Sequence, residues 1–254
     1  MQNKGVFSGD DLSVEGMMNL MFDMMGIDSE RIEMMTTMDP TEMINSMYYT
    51  SIGLLLIFLL IVILGNALIV DQVDRGSMAY VLSTPTKRSA VTITQMIFMI
   101  VVPFIVLSIV CASRIATTQL FFGEVDVVNI LSLFGGMYLL CEAVSSICYM
   151  SSCIFDRSRK SMAFGGGLTV WFFIASLLAM FGSDIMVNMG MGSEALGYFK
   201  YTTLVGLFDV DAISTLGTDV VDYAFIWKFG ILIAITVVCY AYGAIKFKKK
   251  DLPL

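Results

Sequence analysis

Residues 47–70 of this chain read MYYTSIGLLLIFLLIVILGNALIV and contain no charged side chain. A hydrocarbon core of about 30 Å is crossed by roughly 20 consecutive apolar residues in a helix. The stretch is long enough to be a membrane span, so it predicts that the chain is an integral membrane protein.

Four further apolar runs have a similar length, and none shows the alternation of a β-barrel strand. They cover residues 90–112, 129–153, 162–182 and 223–245. The whole chain is 57% apolar and only 15% charged, whereas soluble domains are about 45–50% apolar and about 25% charged. The predicted fold class is an all-α integral membrane protein, a polytopic bundle of about five transmembrane helices.

The composition also excludes several kinds of chemistry. The chain has no histidine, which removes Ser-His-Asp and Cys-His catalysis and His-ligated metal sites. Its net charge of −7 argues against binding to nucleic acid, which requires a basic patch. We therefore predict no catalytic, cofactor-binding or metal-ligating residue on this chain.

The distribution of Lys and Arg predicts the orientation of the bundle. Most of the 15 basic residues lie in the segments 71–89, 154–161 and 246–250, which fall on one alternating side. Cytoplasmic loops carry such an excess, so we expect this side and the C-terminus to be cytoplasmic and the N-terminus to be outside. Residues 1–46, which hold nine acidic residues between Asp10 and Glu42, form a predicted acidic, Met-rich extracellular segment.

The second outside segment, residues 183–222, is too apolar for a free loop and too interrupted by glycine to span. Aromatic rings such as those of Tyr198, Phe199 and Tyr201 favour the headgroup level. We predict a re-entrant or interfacial segment here.

The inner loop after the first span holds the most informative motif. Residues 65–88 read GNALIVDQVDRGSMAYVLSTPTKR, in which an acidic pair, a Gly-Ser step, a Leu-Ser-x-Pro run and a basic residue follow the span. This pattern resembles the permease subunits of ABC-2 type transporters, and the resemblance covers roughly residue 39 to the C-terminus. Residues 47–254 then form a transmembrane permease domain, and 71–89 form its inner coupling loop.

The resemblance implies that a cytoplasmic ABC ATPase subunit docks on this loop. The implied coupling residues are Asp71, Asp74, Arg75, Gly76, Ser77, Leu82, Ser83, Pro85 and Arg88. The spacing of Met78, Val81 and Leu82 predicts a short amphipathic helix on the inner membrane face, which Pro85 ends. The alternative is an ordinary inner loop whose basic residues only set the topology.

The resemblance further implies a second permease subunit, contact with membrane lipid and location in a prokaryotic plasma membrane as a multi-pass exporter. The chain has no G-x-x-x-x-G-K-[ST] phosphate loop, so ATP and Mg would be bound by the partner subunit and this chain is not itself an enzyme. Family members usually have six spans and begin inside. We therefore expect a first helix to be missing from this sequence.

The third span carries a polar stripe. Glu142, Ser145, Ser146 and Tyr149 recur at helical spacing, and Ser152 continues the series. One interpretation is a substrate path or proton-sensitive site, because intramembrane ionisable residues usually face a cavity or the bundle interior. The other is hydrogen bonding between helices, with Glu142 protonated or paired.

Two other functions remain open at this stage. An ion-coupled secondary carrier would use Glu142 to bind its coupling ion. A non-transporting immunity or accessory membrane protein would need neither an ATPase nor a substrate path. The permease subunit of an ABC-2 type exporter is the leading hypothesis.

Overall fold

The computed structural model describes residues 52–78, 88–122, 127–183, 186–187, 192–208, 210–214 and 224–249. Every regular element in these ranges is helical. Five of the helices are long and apolar enough to cross a membrane. The predicted all-α fold with five candidate spans is confirmed.

The helices are numbered here in chain order. They are α1 (Gly53–Asp74), α2 (Arg88–Phe122), α3 (Val127–Ile154), α4 (Ser158–Met180), α5 (Glu194–Gly197), α6 (Val210–Ser214) and α7 (Ala224–Lys249). Two 3₁₀ turns, Tyr198–Thr202 and Leu204–Leu207, lie between α5 and α6.

Several spans continue past the ends that their apolar runs predict. The first continues from Val70 to Asp74, and an ion pair between Arg75 and Asp71 (Nε to Oδ2, 3.0 Å) supports its last turn. The second continues ten residues beyond the predicted end at Ala112, to Phe122. The Thr117 hydroxyl in this extension donates to the carbonyl of Ser113 within the same helix, so polarity alone does not end the helix.

The centre of the bundle is α3, which packs against α1, α2, α4 and α7. Every residue from Leu140 to Tyr149 is buried. A helix that is buried on all sides needs no apolar stripe, which explains how this one carries serines, cysteines and a glutamate around its circumference.

Small residues bring the neighbouring helices close to α3. A Cβ built on Gly65 of α1 would lie 2.9 Å from the Cβ of Cys148, and one on Gly165 of α4 would lie 3.3 Å from the Cβ of Ser151. A Cβ on Gly243 of α7 would lie 3.1 Å from the Tyr149 ring. Helices in lipid associate through such close packing rather than through the hydrophobic effect.

The helix faces at the periphery of the bundle are apolar. On α2 the exposed side chains include Ile93, Ile97, Phe98, Val101, Phe104 and Ile105. Contiguous exposed apolar surface of this extent is rare on soluble monomers, and here it lies on helices of membrane-spanning length. The chain is a multi-pass membrane protein.

The described part of the predicted outer segment packs alongside the bundle. The Thr203 hydroxyl donates to the carbonyl of Phe172 in α4 (3.0 Å), and Val205 and Ile213 are buried. Phe172 lies eight residues before the end of α4 at Met180, a depth of about 12 Å along the helix. The segment therefore descends between helices instead of resting on their tips.

Several predicted features fall outside the described residues. They are the acidic segment 1–46, the helix proposed for residues 78–82 beyond Met78, the coupling residues Leu82, Ser83 and Pro85, the Arg88 side chain and residues 215–222.

The adjacent glycines of α3 give a test of this packing. A Cβ on Gly136 would lie 2.7 Å from the Phe208 ring and 3.0 Å from the Phe229 ring, whereas one on Gly135 meets nothing within 4 Å. We expect Gly136→Ala to destabilise the protein by about 1–3 kcal/mol through overpacking and Gly135→Ala to have little effect. The measurement is thermal unfolding in a neutral detergent. Equal unfolding temperatures for the two variants would contradict the packing described here.

Candidate functional site

The C-terminal end of α1 forms a structured turn. The backbone N–H of Gly76 donates to the carbonyl of Val73 (3.1 Å), and Gly76 has a φ of 72°. Glycine adopts this left-handed conformation without strain, and helices commonly end at a glycine in this conformation. The Ser77 hydroxyl donates to the carbonyl of Gln72 (3.2 Å), and Met78 is buried. The described start of the predicted coupling loop is therefore firmly attached to its span.

Two hydrogen bonds tie this end of α1 to the start of α4. The Ser158 backbone N–H donates to Asp74 Oδ2 (3.2 Å), and the Asn66 side-chain amide donates to the Ser158 hydroxyl (2.7 Å). Of these three residues the sequence singles out only Asp74. Asn66 could have been identified from the sequence as a polar amide within an otherwise apolar span.

Each of α1 and α4 contains one π-helical turn near this end, at Asn66–Val70 and at Met162–Gly166. Adjacent serines of α3 hold the residue directly before each turn. Ser152 donates to the carbonyl of Gly65 (2.6 Å), and Ser151 donates to the carbonyl of Ser161 (2.9 Å). Such turns are rare and often occur at functional sites, and here both are held by the same helix.

The exposed surface around this junction is charged. Arg75 is 75% exposed, and Arg157, Arg159 and Lys160 are exposed in the connection from α3 to the first turn of α4. The junction therefore places two connections of the chain, 71–78 and 155–161, side by side at one end of the bundle.

A buried polar cluster joins α3 to α7 and α2. The Tyr240 hydroxyl donates to Glu142 Oε2 (3.2 Å) and lies 3.1 Å from the Ser145 hydroxyl. The Ser145 hydroxyl is also 3.4 Å from the carbonyl of Met99 in α2, and the other carboxyl oxygen, Glu142 Oε1, is buried with no hydrogen-bond partner among the described residues. Glu142 is only 4% exposed.

The remaining members of the predicted stripe are also buried. The Tyr149 hydroxyl donates to the carbonyl of Thr92 in α2 (3.1 Å), whereas Ser146 donates to Ala143 in its own helix (2.7 Å). This geometry supports hydrogen bonding between helices as the role of Glu142, Ser145 and Tyr149. No local sequence pattern indicates Tyr240 or Thr92, because each lies more than fifty residues from its partner.

Comparison with known proteins identifies the family. The family described as "ABC-2 family transporter protein" matches residues 4–252 of the chain. The chain belongs to the ABC-2 transporter family. No curated protein and no solved structure matches it significantly.

The family match and the five candidate spans together give this ABC-2 protein a permease role in the membrane. The resemblance that the inner-loop residues Asp71 to Arg88 suggested is thus confirmed. Within the described part of that loop, the structure brings Asp71, Asp74, Arg75, Gly76 and Ser77 together at the C-terminal end of α1.

Tyr240 and Tyr242 allow a matched test of the buried cluster in this ABC-2 protein. Tyr240→Phe removes the hydroxyl that donates to Glu142, so we expect a loss of about 1–3 kcal/mol, the cost of an unsatisfied buried polar group. Tyr242 is 45% exposed on the same helix, and Tyr242→Phe should leave stability unchanged. Thermal unfolding in a neutral detergent measures both, and equal shifts would refute a stabilising role for the cluster.

Proposed function

We propose that this ABC-2 family protein is the membrane-spanning permease subunit of an exporter that draws its energy from a separate ATPase subunit. The ATPase docks on the inner loop 71–89. The observation that carries the proposal is the pair of bonds from Asp74 and Asn66 to Ser158. Through these bonds, a force applied to the loop reaches two spanning helices at once.

The inner loop is a suitable place to apply that force. The first span is helical from Gly53 to Asp74 and ends in a glycine-closed turn. A displacement of residues 71–78 is transmitted along α1 through its backbone hydrogen bonds and to α4 through Ser158. The serines of α3 that hold both π turns then provide the pivot against which α1 and α4 move.

The energy source and the partners follow from the same proposal. The chain has no phosphate loop, so ATP and Mg belong to the ATPase subunit and no cofactor is bound here. A second permease subunit, identical or different, completes the path, and lipid surrounds the exposed apolar faces. We place the complex in the plasma membrane of a prokaryote, with the coupling loop in the cytoplasm.

Family membership favours this function over an ion-coupled carrier. Glu142, the residue that a carrier would use for its ion, is engaged by Tyr240 and is almost fully buried. Glu142→Gln retains a side-chain oxygen that accepts a hydrogen bond. Unaltered transport across pH in this variant would remove any role for Glu142 in ion coupling.

Co-purification tests the proposal directly. The tagged chain, expressed in its own host, should retain a subunit that contains a phosphate loop and hydrolyses ATP. A complex purified without any ATPase would favour the accessory-protein alternative and reject the proposed function.

A pair of introduced cysteines tests the orientation. Ser77 and Ser193 are exposed at opposite ends of the bundle, and the five native cysteines are free, with four of them buried. With a membrane-impermeant maleimide on intact cells, we expect Ser193→Cys to be labelled and Ser77→Cys to be labelled only after permeabilisation. The reverse pattern would place the loop 71–89 outside and exclude docking of a cytoplasmic ATPase there.

Asp74 and Asp71 give a matched test of coupling. Asp74 accepts the Ser158 N–H, whereas Asp71 only pairs with the exposed Arg75. The readout is maleimide labelling of Ala163→Cys, an exposed position in the π turn of α4, with and without ATP in the purified complex. Asp74→Ala should reduce the ATP-induced change in labelling rate about fivefold, the factor for a hydrogen bond worth about 1 kcal/mol.

Asp71→Ala should leave that change intact, and both variants should still retain the ATPase. If the two alanine variants behave alike, the bond from Asp74 to Ser158 does not transmit the motion.

A further inference from the structure

A cavity of about 130 Å³ lies between the outer half of α4 and the segment that precedes α7. It is at the opposite end of α4 from Ser158, and therefore far from the inner coupling surface. An apolar cavity of comparable size, about 150 Å³, holds a benzene molecule. The space is thus large enough for a small apolar group.

The walls of the cavity combine apolar and polar groups. Ala179 of α4 and Val205 and Phe208 of the descending segment supply apolar surface, and Ser176, Lys200 and Thr203 supply the polar atoms. Lys200 is exposed, and its ammonium group lies 5.7 Å from the centre of the Tyr201 ring. One residue with a positively charged side chain therefore borders the apolar lining.

The Ser176 hydroxyl is the decisive feature. Serine and threonine in a spanning helix usually donate to the carbonyl four residues earlier, as Thr169 does to Gly165 in this same helix. For Ser176 that acceptor is Phe172, whose carbonyl receives the Thr203 hydroxyl instead. Ser176 is only 5% exposed, yet within the described part of the chain its hydroxyl has no hydrogen-bond partner.

The Ser176 hydroxyl is not among the fully enclosed unpartnered atoms of the described chain, so it is open to a ligand or to water. Here that hydroxyl lines the cavity, and Lys200 lines the same cavity. Thr203 cannot serve in the same way, because it donates to Phe172 and accepts the Val205 N–H (3.2 Å). Ser176 and Lys200 are therefore the two groups that are available to a ligand.

We propose that this cavity is a binding site for amphiphilic anions. The acidic head, a phosphate or carboxylate, accepts a hydrogen bond from Ser176 and pairs with Lys200. A short apolar body lies against Ala179, Val205 and Phe208. Such a ligand is either the headgroup region of an anionic lipid or a free amphiphilic molecule, since both present the same chemistry.

The test is a binding measurement on the purified full chain in a neutral detergent, which requires no ATPase. Its result is therefore independent of the proposed transport function. The probes are hexyl phosphate and the uncharged hexanol, and binding is measured by isothermal titration calorimetry. We expect saturable binding of hexyl phosphate and none of hexanol.

The variants separate the contribution of each group. Lys200→Met should weaken binding of hexyl phosphate about fivefold, the upper range for a solvated ion pair, and Lys200→Arg should restore most of it. Ser176→Ala should weaken binding about tenfold, as expected for a hydrogen bond to a charged group. Lys228→Met removes a cation from α7, outside the cavity, and should bind like the unaltered chain.

Ala179→Phe fills the cavity without touching a polar group, so it should abolish binding even if Lys200→Met fails to fold. Displacement of hexyl phosphate by short-chain phosphatidylglycerol would assign the site to a lipid headgroup, and failure to displace it would assign a free amphiphile. Equal binding of hexanol and hexyl phosphate, or unchanged binding in Ser176→Ala and Ala179→Phe, would overturn the proposal.

Discussion

The absence of water in the hydrocarbon core is the constraint on which the rest of this structure depends. Each backbone carbonyl there must find a donor within the protein. At the two π turns, α3 supplies donors to the residues that precede them, since Ser152 binds Gly65 and Ser151 binds Ser161. Two consecutive hydroxyls on one buried helix thus stabilise the irregular parts of α1 and α4 together. A change at Ser152 would affect both helices, because its hydroxyl also lies 3.1 Å from the Ser161 hydroxyl.

Close packing and hydrogen bonding make separate contributions at this end of the bundle. Close packing at Gly65 and Gly165 fixes α1 and α4 against α3, whereas the bonds from Asn66 and Asp74 to Ser158 connect α1 to α4 directly. The bonds to Ser158 lie towards the loop, beyond the packed glycines. If the proposed ATPase displaces the loop 71–89, these contacts would move the two helix ends as a unit about the serines of α3.

The sequence predicted what depends on local composition and did not predict what depends on distant contacts. Five apolar runs located five helices, because a membrane span needs a long apolar stretch. Helix ends were less accurate where a polar residue continued a helix, as Asp71 and Thr117 do. The stripe on α3 was visible as a periodicity, but its partner Tyr240 lies 98 residues from Glu142 in the chain. No local pattern connects Asn66 with Ser158, 92 residues away.

The hydroxyl groups in this bundle differ in whether they donate within their own helix or to another element. Thr94, Ser108 and Thr236 donate to the carbonyl four residues earlier, so each of these hydrogen bonds stays within one helix. Ser152 and Thr203 instead donate to another element and hold it in place. When Thr203 takes the carbonyl of Phe172, it removes the acceptor that Ser176 would otherwise use. The bond that anchors the outer segment to α4 is therefore also the bond that leaves a hydroxyl free in the cavity beside it.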